Sequence, residues 1–267
     1  LEANSRNPWS GQEFTSMWSN RIAPFAFVFL CAVFFGCAPT CVKTPPPPAG
    51  ELIAEVLSVP GAHAIQAYGT LRVTSPEGNY SGSAVVFYSY PESVKVVLQG
   101  GFGTTFAEIA LAGGKGIAYL PQQRQALELA DGSGLLFGSV VVYPSMLLHL
   151  LKPVDAERLG QDAIISTECS QYVLASRTAA GTRIWRLSAR ARRLEAEEFR
   201  SVENTMFWTR TFGAANGIRV PKSFSVRLGE TTMSAEFTRI NVSPVMRPNT
   251  FAVALPPGIE VMTVPRE

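Results

Sequence analysis

Four cysteines, two histidines and a scatter of serines and carboxylates are the side chains through which this 267-residue sequence could do covalent, metal or acid-base chemistry. Their spacing excludes most of it. Ser139, Ser145 and Ser170 lack the G-x-S-x-G elbow that presents a nucleophile at a strand-to-helix turn. The acidic residues are spread along turns and exposed positions and form no pair suited to glycoside cleavage. His63 and His149 are remote from each other and begin no HxxH or HxxE pattern, so no metal is expected. Gly101-Phe102-Gly103 opens like G-x-G-x-x-G, but Phe106 stands where the third glycine belongs and a strand pattern follows, which rejects a nucleotide cradle. A net charge of +2 is too small to argue for nucleic acid. The chain therefore reads as a non-enzyme without a cofactor, and hydrolase or sugar-processing chemistry has little support.

The cysteine with a chemical context is Cys37. It follows Gly36 at the end of the apolar run 22–36, "IAPFAFVFLCAVFFG", which Arg21 precedes. The run is shorter than the ~20 residues of a spanning helix and contains Pro24. A positive residue, an apolar stretch and a small residue before the cut are the layout of an export signal. Met17 is the natural start of that segment, so 1–16 is read as upstream sequence and 17–36 as a signal peptide. The junction "VFFGCAPTC" resembles the lipobox of bacterial lipoproteins, with Phe34 where leucine is usual. The resemblance implies that Cys37 is lipidated and becomes the mature N-terminus; an uncleaved anchoring helix is the alternative. Cys31 and Cys41 follow Leu30 and Thr40 and lack the small residue that cleavage prefers. A bond between Cys41 and Cys169 requires the N-terminal segment to reach Cys169, and it is not expected.

From Thr44 the sequence runs into Pro45-Pro46-Pro47-Pro48, a stiff polyproline spacer, so 37–49 reads as a tether. Leu52, Ile53, Val56 and Leu57 then recur at helical spacing, and Pro60-Gly61 ends that helix. Beyond it the period becomes two. Residues 65–98 predict three strands with turns at Pro76–Asn79 and Pro91–Ser93, and 104–134 predict three more, broken at Gly113–Gly116 and Pro121–Gln123. "YPSMLLHLLKP" predicts a second helix with Pro144 in its first turn and Met146, Leu147, Leu150 and Leu151 on one stripe. Pro153 stops it, and His149 beside the stripe reads as a packed or surface residue. Strands resume at about 161–168, 171–178, 182–191, 194–201, 204–212, 219–229 and 231–241. Short turns imply antiparallel neighbours, and a meander this long must curl or close, with the helices on its concave side.

The stretch "QAYGTLRVTSPEGNYSGSAVVFYSYPESVKVVLQGGFGTTFAEIAL" resembles the first half of the outer-membrane lipoprotein receptor LolB and its relatives. "YPSMLLHLL" and the late hairpin "VPKSFSVRLGETTMSAEFTRI" fall in the matching order, so the similarity spans 50–243. The tail 244–267, with "NTFAVALPPGIEV", is similar to the end of related periplasmic carriers and is read as an extension packing on the barrel. The resemblance implies a mainly β fold: an antiparallel, unclosed half-barrel with a few helices covering the concave face. It further implies an apolar cavity for the acyl chains of lipoproteins or another lipid, a periplasmic LolA-like carrier as partner, and a lipid-anchored position on the periplasmic face of the outer membrane.

In that family the leucine of a Pro-Leu-Gly turn projects into solvent and helps place the lipoprotein in the membrane. Phe102 falls on that position, between Gly101 and Gly103, which permit a tight turn and leave the ring uncovered. Full burial of a phenylalanine is worth ~1.5–3 kcal/mol, so an exposed one calls for a membrane or a partner; the plainer alternative folds the ring onto the barrel end. Arg186, Arg190 and Arg192 are expected on one strand face with Glu195, Glu197 and Glu198 following. An ion-pair ladder on a solvated face explains them most simply, and a basic ridge for an acidic partner or a lipid phosphate is the sharper alternative. Phe207, Trp208 and Phe212 are expected either in the core or along an acyl cavity. The functional expectation is a carrier that delivers lipoproteins or other lipid to the outer membrane; a lipid-independent envelope scaffold is the second class.

Overall fold

The computed structural model describes residues 45–263 except 77, 101–102, 130–134, 138–139, 143, 155–162 and 248. Helix α1 (Ala49–Ser58) is followed by a meander of six strands: β1 (Ala64–Ser75), β2 (Gly78–Ser89), β3 (Ser93–Gln99), β4 (Thr105–Ala112), β5 (Lys115–Leu120) and β6 (Gln125–Leu129). A small separate pair, β7 (Leu135–Phe137) with β8 (Val140–Val142), leads to helix α2 (Pro144–Leu151). A second meander takes the chain through β9 (Ile164–Glu168), β10 (Gln171–Thr178), β11 (Gly181–Ser188) and β12 (Leu194–Ser201). It ends with β13 (Met206–Ala215), β14 (Ile218–Leu228) and β15 (Thr231–Val242), and β16 (Val261–Thr263) follows near the end.

The two meanders are joined by pairing of β1 with β15 along almost the whole of both strands, so the first and last long strands lie at the middle of the sheet. The order is β16-β6-β5-β4-β3-β2-β1-β15-β14-β13-β12-β11-β10-β9, a single 14-stranded sheet whose outermost strands do not pair with each other. It is a mainly β, unclosed architecture, as the sequence leads one to expect. All pairings in it are antiparallel except β16 on β6. That parallel pairing has no sequence signal, since a strand of three residues is too short to show a period. β13 outruns its expected end at 212 because a bulge at Thr211/Phe212 carries the ladder on to Ala215.

Period-two alternation turns Leu71, Val86, Val96, Phe224, Val226 and Phe237 to one face, where they share the main core. Leu147, Leu150 and Leu151 of α2 pack on that face, while His149 is exposed, as the stripe predicts. A second core forms where Leu52 and Val56 of α1, four residues apart on one helix side, meet Tyr172, Leu174, Trp185, Leu187 and Leu194. Both helices therefore lie on the concave side.

Candidate functional site

The concave face divides between the helices. Under α2 lies a void of about 20 Å³, lined only by apolar residues, among them Leu71, Val86, Val96, Leu98, Leu147 and Phe224. That is room for about one water-sized probe, far less than an acyl chain occupies.

Where α1 and α2 end, the apolar lining gives way to charge. The ladder sets Glu197 of β12 directly opposite Arg210 of β13 and beside Trp185 of β11. Glu197 and Arg210 are both almost fully buried. Arg210 Nε donates to Glu197 Oε2 at 2.7 Å, and Arg183 Nη1 donates to Glu197 Oε1 at 2.8 Å. Arg210 Nη1 donates further to the carbonyls of Leu150 at 3.0 Å and Lys152 at 2.6 Å, groups that the end of α2 leaves without intrahelical partners. Arg219 Nη2 donates in the same way to the carbonyl of Val56 near the end of α1. A guanidinium at each helix C-terminus also meets the negative end of the helix dipole.

The two helix ends are close as well as similarly capped. A Cβ on Gly61, just after α1, would come within 2.7 Å of the Pro153 side chain, just after α2. Burial by itself would raise the Glu197 carboxyl, but the charges of Arg210 and Arg183 prevail and hold it below the usual carboxylate range. The Trp185 indole N–H faces the same carboxylate without reaching hydrogen-bond geometry. Arg219 is pushed down to about 10, first by burial and then by the charge of Arg210, with Glu197 opposing. It stays cationic at neutral pH. Glu197 thus pairs directly with Arg210 at the end of α2, and its charge also favours the cationic form of Arg219 at the end of α1.

Several residues singled out from sequence are placed differently. β11 ends at Ser188, so Arg190 and Arg192 lie in the turn after it and do not share a strand face with Arg186. Arg186 pairs with Glu198 at 2.7 Å and Glu168 at 2.8 Å, and Arg192 reaches Glu51 of α1 at 2.9 Å. Glu197 belongs to the core and not to a solvated ladder. Trp208 is buried under the cations of Arg183 and Arg210, Phe212 lies 5.0 Å from the Arg210 guanidinium, and Phe207 points to the opposite face between Arg200 and Arg227. Cys169, expected to stay out of a disulfide, is disulfide-bonded, with a partner outside the described residues. Cys37, Gly101 and Phe102 also lie outside them. Of the loop that carries Phe102, Gly103 adopts φ +73° and the Gly100 N–H donates to the Thr104 carbonyl at 2.9 Å, which closes the β3–β4 turn.

No family model matches the chain, and no curated protein matches it. A DUF1329 family protein from Desulfovibrio piger superposes with a TM-score of 0.51 at 7% identity, over 75% of this chain and 94% of that one. An outer membrane lipoprotein-sorting protein domain from Vibrio parahaemolyticus gives 0.49 at 10% identity over 76% and 95%, and a LolA superfamily protein from Nitrosomonas europaea gives 0.45 at 11% over 78% and 99%. What this chain shares with the Desulfovibrio protein at such identity is the fold.

Proposed function

We propose that the chain is a lipid-anchored envelope protein that lodges acyl chains on the concave face of its open sheet, beneath α2, and passes them to the outer membrane. The observation that carries this reading is the wholly apolar lining under α2, closed by a helix of eight residues. An acyl chain gains ~0.8 kcal/mol per buried methylene, so no nucleotide is needed to drive entry once α2 lifts. Attachment at Cys37, delivery by a LolA-like carrier and a membrane-inserting Phe102 rest on the LolB resemblance of the sequence. A disulfide at Cys169 fits an oxidising compartment.

One observation favours the scaffold reading instead. The void is only about 20 Å³, as in a filled core. The experiment that separates the two adds a hydrophobic fluorescent probe to the native protein and then competes with an acylated peptide. Saturable probe binding displaced by the peptide supports the carrier; a folded protein that takes up neither is a scaffold.

A further inference from the structure

The face of the sheet turned away from the helices holds a depression of about 350 Å³. Its floor consists of the short hydroxyl residues Thr70, Thr211, Ser223, Ser225 and Ser234, drawn from β1, β13, β14 and β15. Alternation places them there, because their neighbours Phe224 and Ala235 point into the core. The register makes the hydroxyls cross-strand neighbours: Thr211 faces Ser223 and Ser225 faces Ser234, one strand spacing apart. The Thr211 and Ser223 hydroxyls are hydrogen-bonded to each other at 2.6 Å, and either can be the donor. Arg72 and Lys222 stand on the rim, both exposed. Lys222 is the extra residue of a bulge, since Thr211 pairs with Ser223 and Phe212 with Pro221.

Charge extends this pattern. Arg227 of β14 and Arg239 of β15, with Arg200 of the adjoining β12, occupy outward positions beside the rings of Phe207 and Tyr68. Neither they nor Arg72 and Lys222 have an ion-pair partner among the described residues, unlike Arg186 and Arg192. The one carboxylate in the depression, Glu236, is exposed and unpaired as well.

We infer that this depression is a binding site for an anionic carbohydrate. Hydroxyls that both donate and accept, spaced on the scale of a sugar ring, match a ligand made of the same groups. The unpaired cations fix carboxylate or phosphate substituents. Glu236 selects against a bare phosphate ion, which it repels, and for a sugar, whose hydroxyls it accepts. The site is independent of the lipid face, being on the other side of the sheet.

The test is calorimetric titration of the full chain at low salt with a hexamer of galacturonic acid, with uncharged maltohexaose and inorganic phosphate for comparison. The charged hexamer should bind, and the uncharged one should bind about tenfold more weakly for the loss of one charged hydrogen bond. Arg72→Ser and Lys222→Ser, both changes at exposed positions, should each weaken the charged hexamer severalfold, and Lys115→Ser at the exposed start of β5 should not. A double change of Ser225→Val and Ser234→Val, which removes two of the five floor hydroxyls and keeps the cations, should also weaken it. The inference is overturned if the hexamer does not bind, if inorganic phosphate competes as well as the hexamer does, or if Lys115→Ser weakens binding as much as the groove variants.

Discussion

Beneath α2 the strands β1–β4 and β14–β15 offer mostly aliphatic side chains with Tyr88, Phe224 and Phe237 and leave a small void; beneath α1 the strands β10–β12 offer Tyr172, Leu174, Trp185, Leu187 and Leu194. Both helices end on buried arginines, yet their apolar contacts differ in kind. α1 is wedged among large rings and is further tied outside by Arg192 to Glu51. α2 lies largely on aliphatic side chains, and Arg210 fastens its end through the carbonyls of Leu150 and Lys152. The difference teaches which helix the fold can release. Dispersion and cavity terms resist the removal of α1 from its rings, whereas lifting α2 withdraws Leu147, Leu150 and Leu151 from an apolar face that already contains a small void.

The largest effect should come from the charge cluster common to both halves. Glu197→Gln leaves Arg210, Arg183 and Arg219 without their carboxylate in a buried site, and it should destabilise the protein by about 3–5 kcal/mol in urea unfolding. Changing Glu197 and Arg210 together to apolar residues should cost less than the single change, because the most deeply buried cation leaves with its partner and only Arg183 and Arg219 remain without the carboxylate. A single and a double variant that lose equal stability would show the carboxylate to be unimportant to the helix ends. The pH dependence follows in sign. The Glu197 carboxyl lies below its usual range in the fold, so its contribution is complete above the unfolded-state value of ~4.3 and is lost as pH falls through the folded value. The stability gap between wild type and Glu197→Gln should therefore narrow in acid.

Next in size are the two helices' leucines. Leu52→Ala in α1 should cost close to ~5 kcal/mol, because Trp185 and its neighbours cannot collapse into the gap, and Leu147→Ala in α2 nearer ~2, because α2 can settle inward. Leu147→Ala should in addition increase uptake of a hydrophobic probe. The reverse order of costs would make α2 a fixed part of the core and remove the contrast between the halves.

The smallest effect concerns Tyr88, fully buried on β2, whose hydroxyl has no hydrogen-bond partner among the described residues. Burial first and Tyr90 second raise its ionisation well above the usual range, with Arg210 opposing. Tyr88→Phe removes the unsatisfied hydroxyl and should raise stability by about 1 kcal/mol, read as a higher urea midpoint at unchanged slope. A loss would mean that the hydroxyl serves the charge cluster, tying the aliphatic half to the charged one.

Sequence alone determined the elements. Alternation, Pro-Gly stops and two apolar stripes specify the strands β1–β6 and β9–β15 and both helices within a few residues, because period and turn chemistry are local properties; the three-residue strands β7 and β8 are too short to show a period and were not expected. Sequence could not indicate that Glu197 of β12 meets Arg210 of β13 on the inner face. Counting by twos from the buried Leu194 turns Ala196 and Glu198 inward and Glu197 to solvent. The structure places a bulge between Leu187/Leu194 and Arg186/Ala196, and the extra residue, Glu195, reverses the parity of everything after it. Only the tertiary structure decided that reversal, together with the union of β1 with β15. Both depend on what a distant strand offers as a partner, and the chain's own period carries no record of that.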